Sequence, residues 1–235
     1  MIIAMWSGPR NISTALMRSF GNRDDTVVED EPLYARYLKR TGYHHPDRED
    51  ILRAQEPDWD TLTSHLTGPV PGGRTIWYQK HMAHHLFPDD PLGWIHSFAN
   101  CLLLRHPALV IRSYVRKFSL HSPDQLGYPQ LVRIYDALAP SPPVVVDATD
   151  LLRDPASMLT ALCRRLGIPF QPAMLHWSPG GRPTDGVWAR YWYENVNRST
   201  GFQPFTKPDY SVPEGYEDLY RVCLEMYTYL ARVKV

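Results

Sequence analysis

Two short stretches of this chain carry the residue types needed to hold phosphate. In the first, WSGPRNISTAL at positions 6–16, a short apolar run ends at Ser7-Gly8-Pro9 and a helical pattern begins at Ser13. Backbone N–H groups at the start of a helix attract an anion, and the helix dipole adds to the attraction. Arg10 supplies charge there, while Asn11, Ser13 and Thr14 supply short donors. The second stretch, residues 101–118, reads CLLLRHPALVIRSYVRKF. A strand end delivers Arg105, and Ser113 follows eight residues later on a helix that begins near Pro107. Two turns of α-helix cover about 11 Å, so Arg105 and Ser113 can converge on one phosphate. Arg112, Arg116 and Lys117 read as a solvated face of that helix.

The first loop lacks the GxxxxGKS/T pattern of nucleoside triphosphate enzymes, in which a lysine reaches the β- and γ-phosphates. Counting from Gly8, the lysine slot holds Thr14 and the next hydroxyl slot holds Ala15. A triphosphate kinase is therefore disfavoured.

These residues need a frame that brings strand ends to one edge. Short apolar runs at 2–6, 101–104 and 144–146 read as buried strands, and the β-rich run at 26–30 and the stretch at 75–80 read as further strands. Helical patterns follow from 13, over 33–40, from 107 towards 118, over 155–166 and over 217–233. Short strands alternating with helices predict an α/β fold: a three-layer arrangement with a central parallel sheet flanked by helices. Ser13 or Asn11 is placed to cap the first helix. Asp154 caps the helix at 155, with Pro155 in its first position and Gly167 at its end. Residues 41–58 and 167–213 are rich in Pro, Gly, aromatics and charge, and read as long functional excursions.

The 235 residues suffice for one domain, 1–235, with a full core. Lys plus Arg (25) balance Asp plus Glu (25), without the basic excess of a nucleic-acid binder. A local anion site needs only a few well-placed cations. Cys101, Cys163 and Cys223 form no CxxC pair, so neither a metal site nor a disulfide framework is expected, and all three read as buried thiols. No run approaches the roughly 18 apolar residues of a membrane span, and the opening is too short for a signal peptide. A cytoplasmic protein without a membrane partner is the expectation.

The first loop resembles the 5′-phosphosulfate loop of the P-loop sulfotransferases, which runs PKSGTTW or PRTGSTLL. Pro9, Arg10, Ser13, Thr14 and Leu16 match; Ile12 stands where that family usually has Gly, and Ala15 where many animal members have Trp. The pair Arg105 and Ser113 is similar to the Arg and Ser that hold the 3′-phosphate in segments like RxPRDVxxSYY. GRPTDGVWARYW at 181–192 resembles the family's RKGxxGDW segment through Arg182, Gly186 and Trp188, with one residue fewer between Arg and Trp. Residues 144–170 resemble the family's YEDLxxDPxxxLxxLxxFLGLPF stretch, a structural match. Together these likenesses span roughly residues 2–30 and 75–190, in family order.

The resemblance implies transfer of a sulfuryl group from 3′-phosphoadenosine 5′-phosphosulfate to a hydroxyl or amine of a small-molecule acceptor. No metal is implied, and the chain would act as a monomer or homodimer. Arg10, Asn11, Ser13, Thr14, Arg105, Ser113 and Arg182 would bind the donor. TIWYQKHMAHHLFP resembles the KTHLPxxLLP segment, where Lys contacts the sulfuryl group and His takes the acceptor proton. Lys80 and His81 fit those roles in type, adjacent here rather than two apart. The rival base is Glu31, at the end of the second strand, a region from which other branches draw a carboxylate. Between Glu31 and His81 the choice stays open, with His84 and His85 in reserve. A cover for the acceptor is expected from residues 32–66 and 188–205, where Trp188, Tyr191, Trp192, Tyr193 and Phe202 suggest apolar contacts. The competing readings are another P-loop phosphotransferase and a non-catalytic nucleotide-binding protein that keeps the fold.

Overall fold

The computed structural model describes residues 1–139 and 141–235. Among them, β1 (Ile2–Ser7), β2 (Thr26–Asp30), β3 (Ile76–Met82), β4 (Ala99–Leu104) and β5 (Val144–Asp147) form one sheet. The order is β2-β3-β1-β4-β5, and every neighbouring pair is parallel. Strands β1, β3 and β4 lie inside the sheet and are almost wholly buried, which is why β1 and the CLLL of β4 read as apolar runs, whereas β3 also buries Gln79, Lys80 and His81. The edge strand β2 is only partly covered.

The connections carry α1 (Ser13–Gly21), α2 (Tyr34–Thr41), α3 (Arg48–Ala54), α4 (Trp59–Leu66), α5 (Pro107–Tyr114) and α6 (Tyr128–Ala137). The second half adds α7 (Ala148–Arg153), α8 (Pro155–Leu166), α9 (Ala189–Trp192), α10 (Glu194–Arg198) and α11 (Glu217–Ala231). Alternate residues of each strand face opposite sides of the sheet. Ile3 and Met5 of β1 meet Leu16, Met17 and Phe20 of α1 and Leu159 and Leu162 of α8. Ala4 and Trp6 meet Leu62 and Leu66 of α4, Leu131 and Ile134 of α6 and Leu230 of α11. The α/β architecture with a parallel sheet between helical layers is therefore present.

Several local expectations change. Neither Ser13 nor Asn11 caps α1: Ile12 occupies the cap position and makes no side-chain bond. Asn11 instead donates to the Leu103 carbonyl at 2.9 Å and accepts from the Ile12 N–H at 2.9 Å, tying the loop to the end of β4. Arg112 is not a free surface cation, since its guanidinium donates to the Asp209 carbonyl at 3.1 Å. The excursions at 41–58 and 167–213 contain α3, α9 and α10, and α2 and α3 pack on the α1 face of the sheet through Ala35, Leu38 and Ile51. Asp154 does cap α8, accepting from the Ser157 N–H at 3.1 Å, and Gly167 ends it at φ 70°. The three cysteines are buried and unpaired with one another. Among the described residues no helix is long and apolar enough to cross a membrane.

Candidate active site

The carboxyl ends of β1 to β4 open on one edge, the usual place for a ligand in such a sheet. The chain leaves β1 through Gly8, where an added Cβ would lie 2.2 Å from the Leu126 carbonyl oxygen. No larger residue fits that approach without moving backbone. Arg10 then takes the left-handed conformation (φ 56°), which turns the loop into α1. Ile12, at φ −90°, needs no glycine, and its side chain packs on the core.

Arg10 Nε donates to Ser113 Oγ at 2.9 Å, and Arg105 Nη1 donates to the Arg10 carbonyl at 2.5 Å. Tyr128 OH in turn donates to the Arg105 carbonyl at 2.6 Å. The loop after β1, the end of β4 and helix α5 thus form one network. It lines a cleft of about 700 Å³ with Asn11, Thr14, Ala15, Trp192 and Phe202. A second hollow of about 430 Å³ continues past Arg105 and Ser113 to Arg112, Arg116 and Lys207. Burial, then Arg116, pushes Arg10 below its ordinary range, and burial does the same to Arg105. Cations gathered at such a cost, beside a helix start that no side chain caps, have the charge and donors that suit an anion.

On the other side of Arg10 lies a cavity of about 240 Å³ lined by Glu31, Lys80, Tyr34, Tyr37, His84, His85, Trp192 and Tyr193. Its floor is a charged cluster. The parallel register sets Asp30 beside Lys80, and the Glu31 N–H donates to the Lys80 carbonyl at 2.8 Å. Lys80 Nζ donates to Asp30 Oδ1 at 2.9 Å, to Tyr193 OH at 2.9 Å and to Glu31 Oε1. Tyr193 OH donates to Asp30 Oδ2 at 2.7 Å, and the Gly186 N–H reaches the same oxygen at 3.1 Å. Burial opposes the Lys80 charge, but Asp30, Glu31 and Tyr193 outweigh it and push Lys80 well above its ordinary value. Burial raises Glu31; Lys80 pulls it down and Asp30 pushes it up. Glu31 itself has φ 44°, an uncommon backbone conformation for a residue with a side chain.

Arg10, Asn11, Ser13, Thr14, Glu31 and Lys80 line this cavity together, and Arg105 and Ser113 line the cleft that adjoins it. His81 is not among them. Neighbouring strand residues face opposite sides of the sheet, so His81 enters the core beneath Lys80. It stacks on Trp6 with ring centroids 4.2 Å apart, and its Nε2 lies 3.1 Å from Gln79 Oε1. Burial, then Lys80, lowers it to about 3. His84 and His85 do line the cavity; burial, in each case the leading cause, holds His84 at about 4 and His85 well below its ordinary value. Arg182 is also elsewhere. Its guanidinium closes its own loop onto the Ser178, Gly180 and Gly181 carbonyls at 2.6, 3.1 and 3.2 Å. The residue of that segment that reaches inward is Asp185, paired with buried Arg18 at 2.7 Å. Nothing in the sequence singles out Asp30, and Tyr193 reads there only as one of several aromatic contacts.

A family profile described as Sulfotransferase domain matches residues 1–233. Two Arabidopsis thaliana proteins, named branched-chain-amino-acid aminotransferase-like proteins 2 and 1, are each 38% identical over 231 and 233 residues. These matches span 97% of this chain but 41% of each relative, so the chain corresponds to less than half their length. Among solved structures, the sulfotransferase domain of the Synechococcus PCC 7002 olefin synthase superposes with a TM-score of 0.61 at 18% identity, over 97% of this chain and 94% of its own. A sulfotransferase from Alicyclobacillus acidocaldarius gives 0.55 at 13% identity, over 99% and 96%. The sulfotransferase domain from the curacin biosynthetic pathway gives 0.52 at 16%, over 98% and 96%. At these identities the likeness is one of fold.

Proposed function

We propose that this chain, which belongs to the sulfotransferase domain family, moves a sulfuryl group from 3′-phosphoadenosine 5′-phosphosulfate to a hydroxyl or amine of a small acceptor. The observation that carries this reading is the place of Arg10. It lines both the cationic cleft and the aromatic cavity, and so stands where a group would pass from one to the other. Arg105 and Ser113 would take the 3′-phosphate, and the start of α1 with Asn11, Ser13 and Thr14 would take the 5′-phosphosulfate. Trp192 and Phe202 offer the aromatic surface that Ala15 does not.

Sulfuryl transfer resembles phosphoryl transfer, with a loose, in-line transition state and catalysis by positioning and charge. The acceptor oxygen forms its bond to sulfur as the bond from sulfur to the 5′-phosphate oxygen breaks. Arg10 and Lys80 bear on the charge that develops, and the acceptor proton passes to Glu31. Of the candidate bases, Glu31 is the carboxylate in the cavity, raised by burial, whereas His81 faces the opposite side of the sheet. Calorimetric titration with 3′-phosphoadenosine 5′-phosphate and with ATP tests the donor assignment. Binding is expected for the former and weak or absent for ATP; the reverse order would favour a phosphotransferase.

A further inference from the structure

Burial raises Glu31 towards the range of a proton acceptor, but contact with the Lys80 ammonium pulls the other way, since Lys80 Nζ donates to it directly. The cluster contains a remedy. Lys80 has two further partners: Asp30, whose side chain is 1% exposed and does not line the cavity, and the Tyr193 hydroxyl, which is bonded to Asp30. Both Asp30 oxygens already accept hydrogen bonds, from Lys80, Tyr193 and the Gly186 N–H, so it offers no place for a substrate proton. We propose that Asp30 and Tyr193 are positioning residues that retain Lys80 when Glu31 lets it go, leaving Glu31 free to take the acceptor's proton. This rests on Glu31 as the base.

The charge balance supports the assignment. Before transfer the cluster holds two carboxylates and one ammonium, a net negative charge in a buried place. As the acceptor oxygen bonds to sulfur, its proton moves to a Glu31 oxygen and the bisphosphate nucleotide leaves with the electrons of the broken sulfur–oxygen bond. Lys80 keeps its own proton and its bonds to Asp30 and Tyr193. The cluster is then neutral, the cheaper state in a low dielectric. Without Asp30, protonating Glu31 would instead leave Lys80 as an unpaired buried cation.

The groups that face Glu31 from every side agree with this. Lys80 comes from β3, Asp30 from the end of β2, Tyr193 from the turn between α9 and α10, and Tyr34 from the start of α2. Tyr34 is pushed far up by burial and then by Glu31, so it stays a neutral phenol. His84 and His85 are neutral for the reason given above, and Arg10 is bonded to Ser113. Arg18 stands 6.0 Å from the Tyr193 ring but is paired with Asp185. Among the described residues around Glu31, Asp30 is thus the negative charge that offsets Lys80.

The titration needs no known acceptor. Protein carrying ¹³C-carboxyl glutamate, saturated with 3′-phosphoadenosine 5′-phosphate, is titrated by NMR, and Glu31→Gln identifies the Glu31 signal. In Asp30→Asn the Glu31 midpoint is expected to move to lower pH, because Lys80 then bears on Glu31 without a counter-charge. Tyr193→Phe, which keeps the buried ring, should move it the same way by less, and it carries the test if Asp30→Asn does not fold. Midpoints unchanged in the folded variants would overturn the proposal while leaving Glu31 as base. Sulfuryl transfer from labelled donor by Glu31→Gln at the wild-type rate would instead remove the base assignment, and the proposal with it.

Discussion

Arg105→Ala separates the two ends of the proposed donor. In the structure Arg105 holds the Arg10 carbonyl at 2.5 Å and lines both cationic hollows. Its removal therefore has two consequences. Loosening of the Arg10 loop weakens every nucleotide that uses the start of α1, whether or not it carries a 3′-phosphate. Loss of the guanidinium weakens only those that do. A hydrogen bond to a charged group contributes about 1.5–3 kcal/mol, which corresponds to roughly 10- to 150-fold in affinity. Calorimetry on wild type and variant with 3′-phosphoadenosine 5′-phosphate and with adenosine 5′-monophosphate gives four dissociation constants. The effect on the loop cancels in the ratio of ratios. The 3′-phosphorylated nucleotide should lose roughly 10- to 150-fold more than the monophosphate. Equal losses would show that Arg105 only supports the loop, and the 3′-phosphate assignment would fall with it.

Arg10→Ala should lower turnover by roughly 10²–10³-fold at saturating donor while changing donor affinity less, since its charge meets the transferring group; a variant that mainly raises KM would place Arg10 in ground-state binding. Gly8→Ala puts a methyl against the Leu126 carbonyl, which cannot swing aside as a side chain would. A loss of about 1–3 kcal/mol in urea unfolding, with weaker donor binding, is expected, and an unchanged midpoint would contradict the packing. His81, held at about 3 against an ordinary 6.5, takes up a proton more readily in the unfolded chain. Its contribution is present above about pH 6.5 and is lost as pH falls towards 3, and His84, held at about 4, adds to the same acid loss. His81→Gln should flatten the pH dependence of unfolding in that window and leave sulfuryl transfer in place.

Much of the frame was legible because buried parallel strands announce themselves as short apolar runs between helices. The loop at 6–16 and the Arg105–Ser113 pair could be read because their spacing is local, and the structure joins them through Arg10. Other features depended on pairing between distant strands. Asp30 stands beside Lys80 only because β2 and β3 align in that register, 50 residues apart. Tyr193 reads as one aromatic among many, since nothing in its neighbourhood tells where its hydroxyl ends. The position of His81 had a signal in the sequence: in a strand, Lys80 and His81 as neighbours cannot both face one cavity. Arg182 shows the limit of likeness: it matches a residue type in a loop one residue shorter, and its guanidinium is bonded to that loop's own carbonyls.

Sulfuryl transfer by this site is measured most directly by following labelled sulfur. Wild-type protein is incubated with ³⁵S-labelled 3′-phosphoadenosine 5′-phosphosulfate and pools of hydroxylated and amino metabolites, beside Glu31→Gln shown by calorimetry to bind 3′-phosphoadenosine 5′-phosphate. Label should pass to an acceptor with the wild type, and transfer should fall by roughly 10²–10⁴-fold in Glu31→Gln, the usual contribution of a general base. Donor that binds to saturation while its label never leaves the nucleotide for any acceptor would contradict the claim, and would leave a nucleotide-binding protein that has kept the fold.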